Sequence, residues 1–177
     1  MMKVRTMAFC GMFSAFIVIC AWLCIPAADG YITLQTFGLF LCLGTLGGKR
    51  GCLSVLVYLL LGAVGLPVFS GFQGGFSALI GPTGGYLMGF LFCALFYWLV
   101  TGLTGNRKGT QLVTMFGSLC VCYCFGSLWY YHMYIADGGS ATVGFVVAKC
   151  VLPYLLPDIA KLLIAWQLSQ KLKPFVY

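Results

Sequence analysis

Long apolar runs alternate along the chain with short clusters of Pro, Gly and charge. Cutting at those clusters leaves six apolar segments, residues 4–25, 32–47, 51–66, 83–104, 110–134 and 154–173. A helix needs about 20 mainly apolar residues to cross a bilayer, with a range of about 17 to 25. The second and third segments fall short of that range. They are joined by "GGKRG", whose Gly47, Gly48 and Gly51 suit a tight turn between antiparallel helices. A re-entrant segment in place of one of the two is the alternative. The pattern predicts an all-α membrane protein, a single domain over residues 1–177 built as a bundle of six transmembrane helices.

Composition leaves no soluble alternative. The chain is 62% hydrophobic and 7% charged, with a mean hydropathy of +1.02, whereas soluble domains carry about 25% charged residues. The first run has no small-x-small cleavage site before the next element and is read as a retained span rather than a removed leader.

The net charge of +7 raises the question of nucleic acid, but the basic residues stand in pairs between apolar runs and form no stripe. Their placement reads instead as orientation. Lys3 and Arg5, Lys49 and Arg50, Arg107 and Lys108, and Lys171 and Lys173 all fall on one side of a six-span bundle. The other connections hold Asp29, no charge, and Asp137 with Lys149. This asymmetry places both termini in the cytoplasm.

Ten cysteines in a secreted domain would suggest a disulfide framework, but here nearly all sit inside the apolar runs, as small packing residues. Cys120, Cys122 and Cys124 diverge around a helix, and His132 is the sole histidine, so no metal site or cofactor is expected. There is no Glu, and the acids are Asp29, Asp137 and Asp158, too little acid–base machinery for an enzyme. The chain carries no P-loop motif, so ATP-driven transport would draw its energy from partners.

Against this background "YLLPDIAKLLIAW", residues 154–166, sets Asp158 and Lys161 on one face of the last apolar segment, near its outer end. Asp158 alone reads equally as a helix cap. Lys161 does not, because the helix dipole opposes a cation there, and ionisable groups inside spans usually face a watery cavity or the bundle interior. "LPVFSGFQGGFSALIGP", residues 66–82, is an uncharged Gly/Phe-rich outer loop between the third and fourth helices. It reads as folding back over the bundle to close something apolar, or as an irregular packed loop. In "YITLQTFGLF", residues 31–40, Thr33, Gln35 and Thr36 offer neutral donors and acceptors, or helix caps. On the first helix Ala8, Gly11 and Ala15 form a small-residue stripe that lets another helix approach, from this chain or from a separate subunit.

Four stretches in order, "YITLQTFGLFL", "YLLLGAVGLPVF", "GPTGGYLMGF" and "VLPYLLPDIAK", resemble the BioY family, the biotin-binding membrane subunits of energy-coupling factor (ECF) transporters. The likeness covers residues from about 31 to 165. It implies a high-affinity subunit that captures biotin in an outward-facing site in a prokaryotic plasma membrane. Its implied partners are a transmembrane coupling subunit and two cytoplasmic ATPases. It also implies that Asp158, Lys161, Gln35 and Thr36 meet the polar groups of biotin, that Tyr31, Phe72, Phe76 and Tyr86 cover its apolar ring, and that Gly85 lets backbone come close. Family members dock the coupling subunit through an Ala-x-x-x-Ala stripe on the first helix; here Ala8 pairs with Met12, overlapped by Gly11 with Ala15. Where the family often has Pro-Gly-Asp, this chain has Leu156-Pro157-Asp158. The rival readings are a stand-alone small-solute transporter or channel, and a capture subunit for another vitamin.

Overall fold

The computed structural model describes residues 4–27, 30–105, 107–139 and 142–176, so Lys3 and Asp29 lie outside the described residues. Helix α1 (Val4–Trp22) leads into a hairpin of β1 (Cys24–Ala27) and β2 (Gly30–Thr33), then α2 (Gln35–Leu46) and α3 (Gly48–Ala63). A 3-10 turn (Ser70–Phe72) and the short α4 (Phe76–Ile80) precede α5 (Gly84–Thr104), α6 (Lys108–Ala136), α7 (Val143–Cys150) and α8 (Leu152–Val176).

Each apolar segment contains one main helix, but the helices are not six equal spans. Among the described residues α1, α5 and α6 are long and apolar enough to cross a membrane, and α7 with α8, bent by 46°, makes a fourth. Helix α2 is different. Its 12 residues reach about 18 Å at 1.5 Å per residue, well short of a hydrocarbon core of about 30 Å. All of them except Phe37 are buried, so α2 is the central rod around which the others pack. Small residues make this possible: a Cβ at Gly44 would stand 2.6 Å from Ser169 Oγ on α8. The α2–α3 turn is as tight as its glycines suggest, with Gly47 at φ 78°, a conformation that L side chains rarely adopt.

Two elements depart from the expected pattern. The hairpin pairs Cys24 with Thr33 and Ile25 with Ile32, so α1 stops at Trp22 and α2 starts only at Gln35. A short apolar strand and the end of an apolar helix look alike in hydropathy, which is why the segment boundaries overran it. The second is α7, which breaks from α8 at Val151 (φ −116°, ψ −55°), two residues before Pro153, whose ring nitrogen has no proton to bond back.

Arg5, Arg50, Lys108 and Lys173 lie at one end of the bundle. Arg5 Nη2 donates to Phe175 O at 2.8 Å, tying the start of α1 to the end of α8. Trp166 Nε1 on α8 donates to Lys108 O at 3.2 Å, and Cys10 Sγ lies 3.6 Å from Arg50 O. At the opposite end Trp22 Nε1 donates to Pro67 O at 2.8 Å, and Trp129 Nε1 to Gly81 O at 3.1 Å. These bonds fasten the Gly-rich 65–83 segment over that end.

Candidate ligand-binding site

A cavity of about 240 Å³ opens where α2 stops short. The missing turns of the central helix leave room, and the segment from Phe69 to Thr83, with α7, forms the surrounding wall. Its polar groups converge from α2, α6 and α8.

Asp158 is the hub. It is 7% exposed and lies two turns inside α8, past the position where a carboxylate caps a helix. Its Oδ1 accepts from Thr36 Oγ1 at 2.9 Å and from Lys161 Nζ at 2.8 Å, and its Oδ2 accepts from Tyr123 OH at 2.7 Å. Lys161 Nζ also donates to Thr33 O on β2 at 2.7 Å. A carboxylate and an ammonium taken out of water cost several kcal/mol each, which their mutual attraction repays only with good geometry and additional hydrogen bonds. Such a pair adds little net stability over apolar residues of the same volume. Its value here is a fixed, charged, partly dry wall on which a ligand with both donors and acceptors finds complementary groups.

Gln35 forms a second node. Its Nε2 donates to the fully buried Tyr58 OH at 2.6 Å, and its Oε1 accepts from Ser70 Oγ at 2.8 Å and Thr33 Oγ1 at 3.0 Å. The same Thr33 oxygen accepts from the Gln35 backbone N–H at 3.3 Å, so this threonine serves as a turn cap after all. Phe69, 2% exposed, packs edge-on against Tyr58 with ring centroids 5.6 Å apart. Gln35 thus ties the first turn of α2 to the 3-10 turn while both line the cavity.

The sequence model of the BioY family matches residues 1–177. The chain belongs to the BioY family. It is similar to "Biotin transporter BioY" of Thermotoga maritima, 39% identical over 173 residues and covering 96% of each chain. It is also similar to "Probable biotin transporter BioY" of Pyrococcus horikoshii, 34% identical over 172 residues, 97% of this chain and 98% of that one. Its fold matches the crystal structure of the S-component for biotin from an ECF-type ABC transporter. The TM-score is 0.84 at 26% identity, covering 97% of this chain and 92% of that one. Like these relatives, this BioY chain is a multi-pass membrane protein.

Of the residues singled out in this BioY sequence, Asp158, Lys161, Gln35, Thr36 and Tyr86 all line the cavity. Tyr86 OH lies 3.2 Å from Ser127 Oγ, and the ring packs over Gly126. Phe72 and Phe76 are not brought there: they are 63% and 65% exposed, and Phe72 stacks on Trp22 with centroids 5.2 Å apart. Phe69 takes the place in the wall expected of them. Gly85 is buried but abuts Trp129, so it serves helix packing and does not line the cavity. Tyr31 pairs with Pro26 in the hairpin, and its side chain lies outside the described residues. The sequence reading missed Tyr123, Phe69 and Ser70. Tyr123 carried one usable signal, a hydroxyl at the midpoint of an apolar helix, where polar groups seek partners.

The small-residue stripe on α1 faces away from the bundle. Ala8, Gly11, Met12 and Ala15 are all exposed, and nothing stands within 4 Å of a Cβ placed on Gly11. Among the described residues, the stripe is therefore not packed against another helix of this chain. Around α6, Cys122 is buried at the cavity wall while Cys120 and Cys124 are exposed, the divergence that their spacing implies.

Proposed function

We propose that this chain is the biotin-capture subunit of an ECF-type importer, a binding protein rather than an enzyme. The observation that carries the reading is the Asp158–Lys161 pair, buried at the wall of an otherwise largely apolar cavity and met there by Thr36 and Tyr123. Biotin presents a ureido group with two N–H donors and one acceptor, a fused apolar thioether ring and a carboxylate on a flexible arm. Asp158 accepts from a ureido N–H, Lys161 donates to the ureido oxygen or to the carboxylate, and Phe69, Tyr86 and Phe90 cover the ring. While the site is empty, the two charges neutralise each other.

In this reading the helical bundle spans a prokaryotic plasma membrane around the short central α2, with both termini and the basic end in the cytoplasm and the cavity outward. The coupling subunit docks on the exposed α1 stripe, and two ATPases supply the energy. Labelled biotin uptake by proteoliposomes tests the assignment. ATP-dependent uptake is expected only when the coupling subunit and ATPases are present. Transport by the chain alone would support the stand-alone transporter instead, and ATP-driven uptake of a different vitamin in place of biotin would reassign the substrate.

A further inference from the structure

One basic residue breaks the charge asymmetry of the chain: Lys149 stands on the connection opposite the basic end. A cation there runs against the orientation rule and calls for a local use. Lys149 lies in the last turn of α7 and lines the same cavity as Asp158 and Lys161. Nine residues separate it from Asp158, about 13 Å of helical rise. The 46° bend between α7 and α8 keeps both on one cavity. Along the wall Thr36 and Asp158 are buried, Lys161 and Lys149 are half-buried, and Gln73 and Thr83 are exposed; Lys161 is tied to buried Asp158, whereas Lys149 stands on the separate α7.

Charge then decides the direction of the ligand. Among the described residues, the carboxylate and ammonium side chains in the wall are Asp158, Lys161 and Lys149. Asp158 and Lys161 are paired at 2.8 Å, and a ligand carboxylate set beside Asp158 would meet like charge in a poorly solvated place. The ureido end, with its N–H donors, suits that floor. The carboxylate belongs at the mouth, where the wall offers a second cation. Lys149 Nζ sits 5.5 Å from the ring centroid of Phe145, one turn back on α7, and its flexible stem lets the ammonium reach a carboxylate at the mouth.

Resting on the biotin-capture reading, we propose that Lys149 anchors the carboxylate of the captured ligand and so fixes which end enters first. The test is titration of biotin and of biotin amide, which keeps the rings and arm but carries no charge. The proteins are the wild-type chain, Lys149→Ala and Lys149→Arg. The wild type is expected to prefer biotin by at least about tenfold, the order expected of a charge-assisted hydrogen bond. Lys149→Ala should lose that preference while holding the amide within about twofold, which also shows that the variant is folded; Lys149→Arg should retain it. An unchanged preference in Lys149→Ala, or equal loss of both ligands, overturns the assignment while leaving biotin capture in place. A wild-type chain that binds neither ligand overturns both.

Discussion

The same three helices, α2, α6 and α8, are stitched together by buried polar groups at both ends of the bundle, with opposite results. At the basic end Gln111, fully buried, donates through Nε2 to Gly44 O at 3.1 Å and to Ser169 Oγ at 3.4 Å. Its Oε1 accepts from Gln170 Nε2 at 2.7 Å and Lys173 Nζ at 2.8 Å. At the other end Asp158 gathers Thr36, Tyr123 and Lys161. Around Gln111 the helices are in contact, with no room for a Cβ on Gly44. Around Asp158 the central helix has ended and a cavity begins. Buried polarity therefore does not by itself make a site; polarity beside vacant space does. The cluster at the basic end is interhelical glue, and the cluster at the cavity is the one proposed to meet the ligand.

The contrast is most sharply broken at the hub. Asp158→Asn leaves Lys161 without its counter-charge, and biotin affinity is expected to fall by more than about tenfold in equilibrium binding. Tyr123→Phe removes one of the donors to the same carboxylate and should cost about fivefold, the size of an ordinary hydrogen bond. Gln111→Leu should separate the two ends: affinity within about twofold of wild type, but folding weakened by about 1 to 3 kcal/mol because Gly44 O and the Lys173 ammonium lose a partner, read as an earlier thermal transition in detergent. Smallest of all on both scales is Gly11→Leu, whose side chain points away from the bundle. It should alter neither affinity nor melting, yet reduce co-purification with the coupling subunit and ATPases. A shifted melting transition there would mean that the stripe packs within the chain.

The sequence disclosed the hub because charge is scarce: one Asp and one Lys sharing a helical face in an apolar run need a reason. It also disclosed the long helices and the basic end, since hydropathy and Lys/Arg placement act along the chain one segment at a time. Tyr123 stayed hidden as one of ten tyrosines, most of them in apolar surroundings, with only its partner's position giving it meaning. The 66–82 loop hid the choice among Phe69, Phe72 and Phe76 for a different reason. An irregular segment has no period, so no rule says which ring turns inward. The hairpin stayed hidden because its short apolar strands merged in hydropathy with the helices on either side. The site's volume could not be read at all, because it comes from the shortness of α2 relative to its neighbours.

The most direct test of the account is calorimetric titration of biotin into the purified chain, beside Lys161→Ala. The account predicts saturable one-to-one binding by the wild type and at least about tenfold weaker binding by the variant, with melting otherwise preserved. Equal affinity in the two folded proteins would contradict it, and would leave the buried pair as a feature of the fold alone.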